Sequence, residues 1–154
     1  MIEEGKPAPD FTLLDQEGKA VTLSTLKGSP VVLYFYPKDD TPGCTTQACA
    51  FRDAEPDYQS VGAKVLGVSP DPVKSKAKFA AKYALNFPVL ADTETQVCQL
   101  YGVWKEKSMY GKTYLGVERT TVVIDAKGVV RKVFPKVKVP GHAAEVLEAV
   151  KAIV

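Results

Sequence analysis

The run Val31-Val32-Leu33-Tyr34-Phe35-Tyr36 is apolar throughout and shows no polar alternation. A strand with one solvated face alternates with period two, so a run like this needs apolar cover on both faces. Residues 63–68 read as a second buried strand, and residues 42–59 between them as a helix. Pro56 is expected to break or end that helix. Two covered strands joined by a helix require a sheet packed between layers.

The rest of the chain fits such a sheet. Gly5, Pro7 and Pro9 make an extended lead-in, and residues 11–14 and 20–23 flank Gln16-Glu17-Gly18-Lys19 as a hairpin. Residues 24–28 read as one helical turn, capped by Ser24 and ended by Gly28. Ser69-Pro70-Asp71-Pro72 leads into another helix, whose expected core stripe is Val73, Ala77, Ala80, Ala81 and Ala84. A short strand at 87–90, a short helix at 93–101, a hairpin of 120–125 with 129–134, and an amphipathic helix at 143–153 complete the order. The expectation is an α/β chain with a thioredoxin-like fold: a mixed central sheet, helices on both faces, an N-terminal β-hairpin, and one domain over residues 1–154.

Charge narrows the partners. Lys and Arg number 20 against 18 Asp and Glu, a net of +2, which argues against nucleic acid or an anionic membrane. Arg131, Lys132, Lys136 and Lys138 read as a solvated strand face. No apolar stretch approaches the roughly 18 residues of a membrane span. The N-terminus lacks a basic start followed by an apolar core, so no signal peptide is expected and the location is expected to be cytoplasmic. In such a reducing compartment the three cysteines point to a transient, catalytic disulfide rather than a structural framework.

Chemistry concentrates in Thr41-Pro42-Gly43-Cys44, directly after the first buried strand. Thr41 suits an N-cap and Pro42 the first helical position. The following N–H groups have no intrahelical acceptor and favour negative charge at the helix mouth. A free thiol titrates near about 8.5. Bringing a thiol to about 6 takes roughly 3.4 kcal/mol, at about 1.36 kcal/mol per unit. A helix end supplies only about 0.3–1 kcal/mol, or about 2 when partly buried. A cation is therefore wanted, and Arg119, at the head of the strand 119–125, is a candidate; a plain surface arginine is the equal alternative.

Cys49 poses a geometric problem. Along an ideal helix five residues rise about 7.5 Å and turn about 500°, which separates the Cα atoms by about 8.6 Å. A disulfide needs them within about 6.8 Å. Cys44 and Cys49 can bond only if the first turns unwind, and Gly43 with β-branched Thr45 and Thr46 makes that end weak. On spacing alone, a core cysteine is the simpler reading of Cys49.

Residues 37–44, Pro-Lys-Asp-Asp-Thr-Pro-Gly-Cys, match the Pro-x-x-x-Thr-x-x-Cys motif in full, and the sequence resembles the peroxiredoxins. The Cys-x-x-x-x-Cys spacing is similar to that of their Q-type branch, the bacterioferritin comigratory proteins, of the atypical two-cysteine kind. The likeness extends over nearly the whole chain, through Phe87-Pro88-Val89-Leu90-Ala91-Asp92 and residues 111–125. It implies that Cys44 is the peroxidatic cysteine, that Thr41 and Arg119 hold sulfur and substrate, and that Pro37 shields the sulfur from water. It implies too that Cys49 resolves the sulfenic acid as an intrachain disulfide. A hydroperoxide is then the substrate and a thioredoxin-type protein the reductant. With the resolving thiol on the same chain a monomer is expected, a weak homodimer being the alternative.

No metal, haem or flavin is called for. His142 reads as a helix-start or surface residue, and Cys98 as a packed core thiol with a secondary redox role as the lesser reading. Two other functions compete. A thiol–disulfide oxidoreductase would usually show Cys-x-x-Cys, which is absent. A copper-handling or protein-binding module would need a third soft ligand near the cysteine pair.

Overall fold

A computed structural model describes residues 2–154. The strand Val31–Phe35 (β3) is the axis of the molecule, and every residue in it is buried. Val32, Tyr34 and Tyr36 point into one apolar layer, while Val31, Leu33 and Phe35 point into the other. The first layer is covered by three helices, Pro42–Ser60 (α1), Val73–Lys82 (α2) and His142–Lys151 (α4). The second is covered by Gln96–Leu100 (α3) and the N-terminal segment around Phe11 and Leu23.

The sheet has seven strands. Thr12–Leu14 (β1) and Ala20–Thr22 (β2) form the N-terminal hairpin, and Lys64–Ser69 (β4) and Val89–Ala91 (β5) lie parallel to β3. Thr120–Ile124 (β8) pairs antiparallel with β3, and Val130–Phe134 (β9) with β8. The order across the sheet is β2-β1-β5-β4-β3-β8-β9, and the hairpin joins through Leu14 opposite Ala91. The sheet is thus mixed with helices on both faces, as expected. Gly67 sits opposite Tyr34, where a Cβ would lie 2.9 Å from the Tyr34 ring, so only glycine lets that ring cross β4.

Five expectations need correction. The first concerns Pro56: α1 continues through it to Ser60. Proline removes the N–H that would bond the Arg52 carbonyl, and Asn86 Nδ2 takes that carbonyl instead at 3.1 Å. The second concerns the turn near residue 24, a 3₁₀ helix over Leu23–Leu26 that follows Thr22; Ser24 is not its cap, and its N–H bonds Asp10 Oδ1 at 2.8 Å. The third is the phase of α2, which buries Lys76, Phe79 and Ala80 and leaves Ala77, Ala81 and Ala84 exposed. One phenylalanine buries far more apolar area than an alanine, so Phe79 sets the phase.

The fourth is an omission. Trp104–Met109 (β6) and Lys112–Val117 (β7) form a separate two-stranded hairpin. Its turn residues Tyr110 and Gly111 have φ of 52° and 76°, the two positive values that a type I′ hairpin turn requires. The fifth is His142, which does start α4 but is only 2% exposed. Thr121 Oγ1 bonds its Nε2 at 2.8 Å, and the rings of Phe51 and Phe134 meet it edge-on.

Candidate active site

Where β3 ends, Phe35 stands opposite Thr120, the first residue of β8. That register brings Arg119 beside the chain as it leaves the sheet. Residues 37–41 cross from β3 to α1, and the helix starts at Pro42. Cys44 lies in the first turn and is 2% exposed. Arg119 Nη2 donates to Cys44 Sγ at 3.3 Å, and Nη1 to Gln47 Oε1 at 2.6 Å. One planar guanidinium thus spans residues i and i+3 of a single helical face. The Arg119 carbonyl accepts from the Val137 N–H at 2.9 Å, which fixes the residue from behind.

Gly43 makes this approach possible, since a Cβ there would lie 3.2 Å from Arg119 Nη2. Thr41 is the N-cap by backbone, and its carbonyl accepts from the Thr45 N–H at 2.8 Å. Its side chain does not cap the helix: Oγ1 donates to the Lys38 carbonyl at 3.0 Å. The helix mouth therefore keeps the N–H groups of Gly43 and Cys44 free of a side-chain cap. Pro37 is half-buried at the start of the crossing.

Cys49 is half-buried further along α1, and all three cysteines are free thiols. With α1 continuous over both residues, the helical separation of about 8.6 Å keeps them from bonding. The structure thus brings Cys44 and Arg119 together, sets Thr41 and Pro37 on the adjoining crossing, and holds Cys49 one and a half turns away.

The AhpC/TSA family model matches residues 5–133. A putative peroxiredoxin bcp of Coxiella burnetii is 53% identical over 146 residues, covering 95% of this chain and 97% of that one. The chain belongs to the AhpC/TSA family, in its peroxiredoxin Q branch. A PrxQ mutant from Xylella fastidiosa superposes with a TM-score of 0.94 at 38% identity, covering 99% of this chain and 97% of that one. The bacterioferritin comigratory protein of Xanthomonas campestris, described for its alkyl peroxide reduction activity, gives 0.88 at 45% identity, with 92% and 90% covered. This peroxiredoxin is accordingly a thiol-dependent peroxidase.

Outside the mouth, the peroxiredoxin carries groups that sequence reasoning passed over. Gln47 is buried and lies three residues after Cys44, so helical spacing alone could have paired the two. Its Nε2, like the Tyr34 hydroxyl, has no partner among the described residues. The hairpin borders the site: Lys105 Nζ pairs with Glu118 Oε2 at 3.4 Å, next to Arg119, and half-buried Lys107 has its pKa lowered by burial and by the Arg119 charge. Cys98 is fully buried in the opposite layer from Cys44. Burial and the neighbouring Asp92 push its thiol well up. The sheet separates it from the Cys44 mouth, so no third sulfur joins that pair.

Proposed function

We propose that Cys44 is the peroxidatic residue of this chain and reduces hydrogen peroxide and organic hydroperoxides. Its thiolate attacks the terminal peroxide oxygen, the O–O bond breaks, and water or an alcohol leaves once protonated. Sulfur is oxidised to sulfenic acid. Arg119 and the mouth N–H groups face the charge that develops on sulfur and on the departing oxygen. Thr41, whose hydroxyl proton goes to the Lys38 carbonyl, keeps its oxygen lone pairs to accept from the peroxide O–H, and Pro37 keeps water from the sulfur. The observation that carries the reading is the Arg119 Nη2 to Cys44 Sγ contact at 3.3 Å in the first turn of a helix.

Cys49 then attacks the sulfenic sulfur, water is lost, and an intrachain disulfide forms. The helical separation demands that the first turns of α1 open beforehand. A thioredoxin-type dithiol reduces the disulfide by exchange and is itself oxidised. The alkyl peroxide activity described for the Xanthomonas protein supports organic hydroperoxides as substrates here. We read residues 1–154 as one domain, monomeric because the resolving thiol is on the same chain, and cytoplasmic.

Peroxide-treated protein tests the pair directly. The expected mass loss is two hydrogens, with Cys44 linked to Cys49 in the digest. Cys44→Ser is expected to abolish peroxide consumption. Cys49→Ser is expected to consume about one equivalent and then stop, since a sulfenic acid without a resolving thiol accumulates. Sustained turnover with thioredoxin in Cys49→Ser would transfer the resolving role elsewhere.

A further inference from the structure

Residues 37–41 decide where the helix mouth sits, and two consecutive carboxylates tie this crossing to α2. Asp40 is the outer tie: it is exposed, has a φ of 57°, and bonds Lys82 Nζ at 2.8 Å and the Tyr83 hydroxyl at 2.5 Å. Asp39 is the inner one and is buried. Its Oδ1 accepts from Lys76 Nζ at 2.9 Å and from the Tyr36 hydroxyl at 2.5 Å, and its Oδ2 from Ser75 Oγ at 2.7 Å. Its own N–H donates to Asp71 Oδ2 at 2.7 Å.

Lys76 has no exposed surface at all. Its ammonium has three donors, and they meet Asp39 Oδ1, the Tyr36 hydroxyl and Ser69 Oγ. Asp71 stands 3.9 Å away as a second counter-charge. One buried cation thereby joins the end of β3, the crossing, the end of β4 and α2. Replacing a buried ion pair by packed apolar residues is often neutral or even stabilising, so stability is a poor reason for this one. What a closed network of directional bonds supplies is position. The position it sets is that of Asp39, two residues before Thr41 and five before Cys44.

We propose that Lys76 is a positioning residue for peroxide reduction: through Asp39 it fixes the 37–41 crossing, and with it Pro37 and Thr41 over the Cys44 mouth. The inference rests on reading Cys44 as the peroxide-reactive thiol. Lys76 touches neither substrate nor sulfur; its bonds reach the mouth through the crossing, and its charge is felt at Cys44 only from a distance.

The test compares two rates on the same sulfur. Reaction with hydrogen peroxide needs the crossing in place; alkylation of Cys44 by iodoacetamide needs only an accessible thiolate. In Lys76→Met the peroxide rate is expected to fall about 10- to 100-fold, the scale of a displacement near 1 Å. Alkylation is expected to stay within about threefold, since a uniform loss of structure would move both rates. Asp39→Asn and Ser75→Ala cut the network from the other side and carry the test if Lys76→Met folds poorly; each is expected to lower the ratio of the two rates. Equal losses in both rates, or an unchanged peroxide rate, overturn the proposal. Failure of the underlying reading looks different, because Cys44→Ser would then still consume peroxide.

Discussion

Gly43→Ala separates the two demands placed on the first turn of α1. Gly43 has no positive φ, so alanine fits the backbone there, and it favours the helix by about 0.5–1 kcal/mol. If Cys44 reaches Cys49 only from an unwound turn, that preference lowers the open population about two- to fivefold, with RT near 0.59 kcal/mol. The new methyl would also lie 3.2 Å from Arg119 Nη2. The guanidinium must shift by a few tenths of an ångström and weakens its 3.3 Å bond to Cys44 Sγ. Losing half of a charge-assisted bond of about 1.5–3 kcal/mol slows the peroxide step about four- to twelvefold. Single-turnover mixing with peroxide, quenched and read by mass spectrometry, resolves both steps: sulfenic acid trapped by dimedone reports the first, disulfide the second. Thermal unfolding reports the helix. A variant that melts higher yet converts sulfenic acid to disulfide at the wild-type rate would refute the need for unwinding.

Other outcomes follow from the same geometry. Arg119→Met keeps bulk and removes both donors; peroxide reduction is expected to fall about 10²- to 10³-fold, the scale of losing one preorganised donor, measured by stopped flow. His142 is buried and its pKa is lowered below 6.5, chiefly by burial. The unfolded chain therefore binds its proton first, and stability is expected to fall as pH drops below about 6.5 and through the lower folded value. His142→Gln is expected to flatten that part of the melting-temperature profile relative to wild type. Cys98→Ala is expected to retain full turnover with thioredoxin, since Cys98 lies across the sheet from Cys44; lost turnover in a well-folded variant would give it a redox role.

Much of the frame was legible because burial writes itself into apolar runs. β3 is apolar throughout, β4 and β8 carry polar residues only at their ends, and β9 keeps Val130, Val133 and Phe134 around Arg131 and Lys132. The start of α1 was legible from Thr41 and Pro42. The β6–β7 hairpin was not, because most of its side chains are exposed on both faces, as at Lys105, Glu106, Lys112 and Thr113. Without a buried face there is no alternation to see, and Tyr110-Gly111 is a less usual turn pair than Asn-Gly. The phase of α2 was missed because a lysine rarely lies fully buried, and only the tertiary fold shows Asp39 and Ser69 waiting for Lys76. The side-chain bond of Thr41 to Lys38 was likewise invisible, since capping and turn bonding draw on the same hydroxyl.

The helix that carries both Cys44 and Cys49 is also divided. Helical order is lost cooperatively, each broken bond loosening its neighbour, so an opening that starts at Pro42 has a tendency to run on. At Arg52 it meets a carbonyl held from outside the helix, by Asn86 at 3.1 Å. Beyond Pro56 the Tyr58 hydroxyl is anchored on the Ala143 carbonyl at 2.6 Å. Oxidation to the disulfide is therefore expected to speed amide exchange from residue 43 up to about residue 52 and to leave residues 57–60 protected. On the proposed mechanism, the proline that seemed to mark the end of a helix serves as its firebreak: one end of α1 melts as the disulfide forms while the other keeps the core closed.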